Sequence, residues 1–182
     1  GEKTGIDLPN EASGLVKNLS TNRDVEYATA SFGQGIAMTP IELVRAYSAI
    51  ANQQGKLVSP YVVKQINYRI GTTKKIEKEL GKQVIKPETA RAVTDMMVYN
   101  VDNSLLDGNA KNERYAVAAK TGTAQMALKE GGYSEDKFLH SFVGFLPAYN
   151  PRFLVFIYTV NPRGVSYASE TLAKPFIELT KF

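Results

Sequence analysis

The sequence predicts an α+β fold in which helices pack against an antiparallel sheet. Thr39, Pro40 and Glu42 form a complete helix-start signal, and a second helix start follows at Pro87. The apolar segments 138–146 and 153–158 are joined only by the tight connection 147–151, which is too short for a parallel crossover. Together with a strand before them, these two segments predict a three-stranded antiparallel meander.

Composition limits the class of protein. The chain has 182 residues, enough for one domain with its own core, and 43% of them are hydrophobic. The net charge of +4 is spread along the chain, apart from Lys74, Lys75 and Lys78, which we interpret as a solvated face. We therefore expect no nucleic-acid interface. The absence of cysteine excludes disulfides and thiolate metal sites, and no apolar run approaches the length of a membrane helix.

The N-terminal third is predicted to lead into one well-defined helix. Residues 4–9 favour a short extended piece, residues 10–22 a polar loop, and residues 31–36 a glycine-rich turn. The helix begins after the N-cap Thr39 and stops before Gly55. Its predicted core face consists of Leu43, Val44, Tyr47, Ile50 and Ala51.

The middle of the chain predicts a hairpin and a second helix. Strands over residues 61–70 and from 73 to about 80 would be joined by a turn at Gly71-Thr72. The helix from Pro87 would bury Ala90, Val93, Met97, Val98 and Val101, with Met96 and Met97 as gap-filling core residues. Residues 102–114 are expected to form a loop.

The last third predicts the sheet and a terminal helix. Residues 125–137 are expected to form a long loop, a length that often has a function. The continuously apolar segment 153–158 predicts a central strand covered on both faces. The segment 166–182 predicts a helix with the stripe Leu172, Phe176 and Leu179, kinked or restarted at Pro175. We expect this helix and the helix from Pro87 to cover one face of the sheet.

The segment 118–124 is the strongest candidate for a binding site. The strand is expected to begin at Tyr115 and then to carry small side chains around Lys120, where a strand normally carries bulk. The lysine charge, the hydroxyls of Thr121 and Thr123 and the backbone at Gly122 are suited to hold a carboxylate. The alternative is an edge strand whose lysine protects against aggregation.

Several blocks of the sequence resemble the penicillin-binding transpeptidases. Lys120-Thr121-Gly122-Thr123 resembles the Lys-Thr-Gly signature of penicillin-binding proteins and serine β-lactamases. The blocks 32–35, 38–43 and 46–52 are similar to a segment of the transpeptidases, and residues 5–9 resemble the piece before it. Residues 121–125 and 141–147 resemble the class B, monofunctional members most closely. The resemblance covers nearly the whole chain and implies part of the transpeptidase, serine β-lactamase-like fold.

The resemblance also implies that the nucleophile is missing. The family's Ser-x-x-Lys and Ser-x-Asn motifs precede the Gly5 region, so residues 1–182 are expected to be the C-terminal part of one transpeptidase domain, with no catalytic nucleophile in this chain. Ser134-Glu135-Asp136-Lys137 and Ser20-Thr21-Asn22 have the spacings of these motifs. Both lie at the wrong place in family order, and we interpret them as chance matches.

For the intact protein, the resemblance implies acyl transfer through a serine ester to cross-link cell-wall stem peptides, and binding of β-lactams. Lys120, Thr121 and Thr123 would hold the substrate carboxylate, Gly122 would keep the strand free of bulk, and the Thr123 N–H would form half of an oxyanion hole. No metal or organic cofactor is needed. A non-catalytic β-lactam sensor on the same fold and a serine β-lactamase are the alternatives.

The resemblance further implies partners and a location. The parent protein would be anchored in the cytoplasmic membrane with this domain outside the cytoplasm, although this chain has no anchor. We expect its partners to be the stem peptide or a β-lactam and the missing N-terminal part of the domain, and we expect the chain alone to self-associate.

Four further residues are weaker candidates for a functional role. His140, the sole histidine, is either a general base or a structural residue. Tyr133 either lines a cleft or is an ordinary surface aromatic, and Asp7 and Glu42 are expected to be turn and cap residues.

Overall fold

The computed structural model describes residues 1–77 and 79–181 and confirms the α+β class. The helices in this part of the chain are α1 (Asp24–Ser31), α2 (Pro40–Ala51), α3 (Pro87–Asn103) and α4 (Ala168–Leu179). The strands there are β1 (Lys56–Val58), β2 (Gln65–Asn67), β3 (Thr73–Lys75), β4 (Leu80–Gln83), β5 (Ala118–Ala127), β6 (Tyr133–Leu146) and β7 (Phe153–Val160).

The main sheet is the predicted antiparallel meander, in the order β5-β6-β7. The prediction that residues 153–158 form the central strand was wrong, because β6 is central and β7 lies at an edge of the described sheet. The two faces of β7 are nevertheless contacted: Val155 and Ile157 pack on one core cluster and Leu154 on the other. The continuous apolar segment therefore indicates that both faces of the strand are covered by other residues. It does not indicate whether the strand has one or two hydrogen-bonded neighbours in the sheet.

Two helices cover opposite faces of this sheet. Phe176 of α4 stacks on Phe142 of β6 with ring centroids 4.3 Å apart. Met97 of α3 packs with Ala118 and Phe145 on the other face. Strand side chains alternate between faces, so neighbouring residues of β5 and β6 belong to different core layers. Val101 of α3 nevertheless belongs to the same core cluster as Phe142 and Phe176, so the expectation that these two helices share one face is wrong only in part.

The predicted long loop 125–137 is instead the tip of a β-hairpin. β5 continues to Ala127 and pairs with Tyr133 at the start of β6, which leaves residues 128–132 as the connection. Gly131 and Gly132 both have positive φ angles there. Glycine adopts such angles without steric cost, which explains why this polar segment closes tightly.

The second hairpin is present but shorter than predicted. β2 and β3 pair through the turn at Gly71, with Gln65 opposite Lys75. The segment from Leu80 belongs to β4, which pairs with the unpredicted strand β1. Lys74 and Lys75 are exposed, as expected of a solvated face, whereas Lys78 lies outside the described residues. The lysine strand begins at Ala118, three residues after the predicted start.

The helix starting at Pro40 is confirmed in detail. The Thr39 N–H donates to Glu42 Oε2 at 2.6 Å, and the Glu42 N–H donates to Thr39 Oγ1 at 3.3 Å. This is the predicted capping box. Glu42 also accepts from the Gly14 N–H at 3.1 Å, so the cap ties the N-terminal segment to α2.

Some local predictions were wrong. Helix α1 was not predicted, and the polar region 10–22 contains a 3-10 turn at Lys17–Thr21. The region 102–114 begins with the last residues of α3 and a second 3-10 turn, Leu105–Gly108. Helix α4 runs through Pro175 without a restart. Met96 and Leu179 are exposed, although both were expected in the core.

Candidate functional site

The four residues of the lysine motif lie on β5 beside β6, as the sequence predicts. Lys120 is opposite Val143, Gly122 is opposite Ser141, and Thr123 is opposite His140. Alternation places Lys120 and Gly122 towards one face of the sheet and the two threonines towards the other. Among the described strands only β6 pairs with β5, so β5 forms an edge of the sheet.

Lys120 presents its charge at the surface. Its side chain is exposed, and its Nζ donates to the backbone carbonyl of Thr121 at 2.8 Å. The neighbouring residues Ala118 and Ala119 are fully buried. The two buried alanines fix the start of the strand in the core. The ammonium group of Lys120, which follows them directly, is exposed and can bind an anion.

Gly122 lies close to a side chain of β6. A Cβ built at Gly122 would lie 2.6 Å from Ser141 Oγ, so the Ser141 hydroxyl would have to rotate away to admit a side chain there. Ser141 in turn donates to the Gly122 carbonyl at 3.4 Å. The sequence motif explained why this strand should be free of bulk but did not identify Ser141 as the neighbour. The register of the two strands is the signal that identifies the pair.

Thr123 connects the motif to helix α4. Its Oγ1 accepts a hydrogen bond of 3.0 Å from the backbone N–H of Ala168, the first residue of that helix. The first N–H groups of a helix have no partner inside it, so this contact satisfies one of them. Because the oxygen accepts, the Thr123 hydroxyl proton stays available for donation to a ligand.

His140 is a buried residue of the α4 face. It is fully buried, and its Nδ1 lies 2.9 Å from Thr171 Oγ1. The Thr171 hydroxyl also lies 3.3 Å from the Ala168 carbonyl, which ties His140 to the first turn of α4. A ring closed off from solvent in this way supports the structural interpretation of His140 rather than that of a general base.

The serines of the two strings that mimic catalytic motifs are held by local hydrogen bonds. Ser134 Oγ donates to Asp136 Oδ1 at 2.7 Å and accepts from the Lys137 N–H at 3.1 Å. The hydrogen bond from Ser134 lowers the pKa of Asp136. Ser134 and Lys137 lie in an irregular stretch of β6, because Tyr133 pairs with Ala127 and Phe138 already pairs with Gln125. Ser20 donates to the carbonyl of Lys17 inside its own 3-10 turn.

Two of the remaining candidates make specific contacts. Tyr133 Oη accepts from the Gly35 N–H at 2.7 Å, which docks the tip of the β5–β6 hairpin on the glycine-rich turn. Asp7 accepts from the N–H groups of Val62 and Val63 at 2.6 and 2.9 Å. These two backbone bonds lower the Asp7 pKa. They give Asp7 a structural role that joins two distant segments, which is more than the turn role expected from the sequence.

Residues 1–77 and 79–181 offer neither a metal site nor a membrane span. Within these ranges, no group of three or more His, Asp or Glu side chains is arranged to hold a metal ion. No helix in that part is long and apolar enough to cross a membrane.

The family model of the penicillin binding protein transpeptidase domain matches residues 1–179. The chain belongs to this family. It is 39% identical over 184 residues to stage V sporulation protein D of Bacillus subtilis, covering 97% of this chain and 27% of that protein. It is 32% identical over 175 residues to a probable peptidoglycan D,D-transpeptidase, PenA, of Neisseria gonorrhoeae, covering 96% of this chain and 28% of the relative.

Solved structures of transpeptidases share the fold. The structure of penicillin binding protein 3 from Mycobacterium tuberculosis complexed with ampicillin superimposes with a TM-score of 0.82 and 29% identity. That match covers 99% of this chain and 43% of the other. The relatives are class B penicillin-binding proteins, as the motifs predicted. The chain spans about a quarter of the length of these curated relatives.

Proposed function

We propose that residues 1–182 are the C-terminal part of the transpeptidase domain of a peptidoglycan DD-transpeptidase, and that they supply its substrate-binding strand. The observation that carries the proposal is the exposed Lys120 on the edge strand β5, with two threonines and Gly122 beside it. Membership of the transpeptidase family and the name of the Neisseria relative support it. The nucleophilic serine would come from outside residues 1–182.

The reaction of the intact protein would proceed in two steps. The serine hydroxyl oxygen attacks the carbonyl of a D-Ala-D-Ala bond, and the terminal D-Ala leaves as an amine that takes up a proton. The amine of a second stem peptide then attacks the ester carbonyl and displaces the serine oxygen. This step forms the cross-link, and the serine oxygen takes up the proton that the amine loses. The same serine oxygen would attack the carbonyl of a β-lactam in the first step, which opens the ring and leaves an acyl ester on the serine.

In this reaction β5 would bind and orient the substrate. Lys120 supplies positive potential to the terminal carboxylate, and the hydroxyls of Thr121 and Thr123 donate to it. The backbone N–H of Thr123 would form half of the oxyanion hole. An edge strand offers backbone groups to an extended peptide, which suits β5 to align a stem peptide beside it.

The partners and location follow from the same proposal. The domain would lie outside the cytoplasm, where peptidoglycan is made, and another part of the polypeptide would anchor it in the membrane. The Mycobacterium penicillin binding protein 3 has been solved in complex with ampicillin and with aztreonam, which supports a β-lactam as ligand of the intact protein.

Covalent labelling tests the assignment. The 182-residue chain and the full-length protein that contains it are incubated with a fluorescent penicillin and weighed by intact-mass spectrometry. We expect one adduct on the full-length protein and none on the chain alone. A stoichiometric adduct on the chain, at Ser134 or elsewhere, would contradict the proposal. Release of D-Ala from a stem-peptide substrate separates an enzyme from a β-lactam sensor, which would be acylated without turnover.

A further inference from the structure

Helix α2 has a second apolar face that the core does not use. Tyr47 and Ile50 pack with the core cluster around Phe145. Ile41, Val44 and Ser48 instead line a cavity of about 760 Å³, which the segment around Tyr61 and the start of β7 complete. A helix that is apolar on two sides is typical of one enclosed by protein on both.

Arg45 brings a positive charge to this second face. It follows Val44 and lines the same cavity. Its Nε is buried and has no hydrogen-bond partner within residues 1–77 and 79–181. Arg152 also lines the cavity, and none of the described lining residues is acidic. A cavity lined by two guanidinium groups and, among the described residues, by no carboxylate is electrostatically suited to bind a carboxylate.

The length of the relatives indicates where such a carboxylate comes from. This chain matches 27% of the Bacillus relative and 43% of the Mycobacterium structure, so most of each protein lies outside the matched region. We propose that the cavity takes an aspartate or glutamate on an apolar segment of the same transpeptidase polypeptide, outside residues 1–182, and that its carboxylate pairs with Arg45. This inference rests on the proposed function, because it assumes that these residues are part of a larger transpeptidase domain.

The inference predicts opposite effects of one substitution in two contexts. Arg45→Met keeps an apolar stem but removes the charge. In the 182-residue chain we expect the unfolding equilibrium constant to stay unchanged or to fall, because an unpaired buried donor is removed. In the full-length protein we expect it to rise at least about tenfold, because the carboxylate loses its partner. Arg45→Lys should fall between, and Arg69→Met on the exposed β2–β3 turn is the matched control.

Arginine modification gives a readout that does not depend on folding of a variant. Both wild-type proteins are treated with phenylglyoxal, and modified residues are mapped by mass spectrometry. We expect Arg45 to react in the 182-residue chain and to be protected at least about tenfold in the full-length protein, with Arg69 as the internal reference. Charged-pair burial is the physical reason for the protection.

Three outcomes would overturn the inference. One is an equal effect of Arg45→Met in both contexts, and another is equal reactivity of Arg45 in both. The third is protection in the 182-residue chain that rises with its own concentration, which would assign the cavity to a second copy. None of these measurements uses β-lactam acylation. A protein that is not acylated would contradict the proposed function, whereas the three outcomes above would contradict only the Arg45 ion pair.

Discussion

Thr123 of the lysine motif accepts a hydrogen bond of 3.0 Å from the backbone N–H of Ala168, where helix α4 begins. One side chain thus belongs to the candidate binding strand and to the start of the terminal helix. The packing of α4 on β6, through Phe176 and Phe142, depends on where that helix begins. The position of the helix and the geometry of the motif are therefore coupled.

Replacing the Thr123 hydroxyl should loosen this contact. Thr123→Val keeps the shape but leaves the Ala168 N–H without its acceptor, so we expect a loss of about 1 kcal/mol in the free energy of unfolding. Thr123→Ser should lose less, because it keeps the oxygen. Urea unfolding measures both, with Thr159→Val on the far side of His140 as the control. Equal losses for the valine and serine variants would show that the hydroxyl oxygen is not the acceptor that matters.

The close approach of Gly122 and Ser141 predicts a rescue. Gly122→Ala places a Cβ 2.6 Å from Ser141 Oγ, and we expect it to destabilise the chain by about 1 kcal/mol. Adding Ser141→Ala removes the obstructing oxygen and should recover most of that loss. A double-mutant cycle measured by thermal or urea unfolding gives the coupling between the two sites. Purely additive effects would mean that another neighbour excludes the side chain.

The cap of α2 predicts a pH dependence. Burial raises the pKa of Glu42, but hydrogen bonds from the N–H groups of Thr39 and Gly14 outweigh it and hold the pKa below the ordinary value of 4.5. A lowered folded-state pKa contributes stability above the unfolded pKa, and that contribution is lost as pH falls through the folded value.

Glu42→Gln should therefore lose stability at pH 7, with a smaller difference from wild type as pH falls below about 4.5. Unfolding free energies measured from about pH 7 to about pH 3 test this. A wild-type to variant difference that stays constant over this range would show that the carboxylate charge does not contribute.

The outer strand β7 predicts self-association of the isolated chain. Tyr158 and Val160 are about half exposed, at 50% and 52%, on an edge strand of the described sheet. Apolar edge strands pair readily with other chains. Sedimentation should show concentration-dependent association, and a hydrophobic dye should bind more to the chain than to the full-length protein. Tyr158→Thr combined with Val160→Lys should reduce both, whereas a strictly monomeric chain without excess dye binding would contradict the expectation.

Local signals in the sequence identify the elements that depend on local chemistry. The capping box at Thr39 and the spacing of Ala90, Val98 and Val101 predict α2 and α3, because caps and helical periodicity act within a few residues. The lysine motif and its strand are likewise evident from a run of small residues around one cation.

Non-local pairing is the part that the sequence does not reveal. The edge position of β7, the pairing of β1 with β4 and the contact of Gly122 with Ser141 all depend on which strands meet. The sequence predicts a long loop over residues 125–137, where the structure has a hairpin with its connection at 128–132. Polar residues such as Lys137 are typical of a loop, but they are as common at the exposed end of a strand. Arg45 gives no signal of its own, because a single charge on an amphipathic helix is usually solvated.

The acylation rate of the full-length protein tests the central claim most directly. Lys120→Ala and the control Lys74→Ala, on the exposed strand β3, are reacted with a fluorescent penicillin under single-turnover conditions. A lost charge-assisted hydrogen bond is worth about 1.5–3 kcal/mol, so the second-order rate constant for Lys120→Ala should fall by about 10- to 150-fold. Lys74→Ala should react like wild type. An unchanged rate for a folded Lys120→Ala protein would show that β5 does not bind the ligand carboxylate.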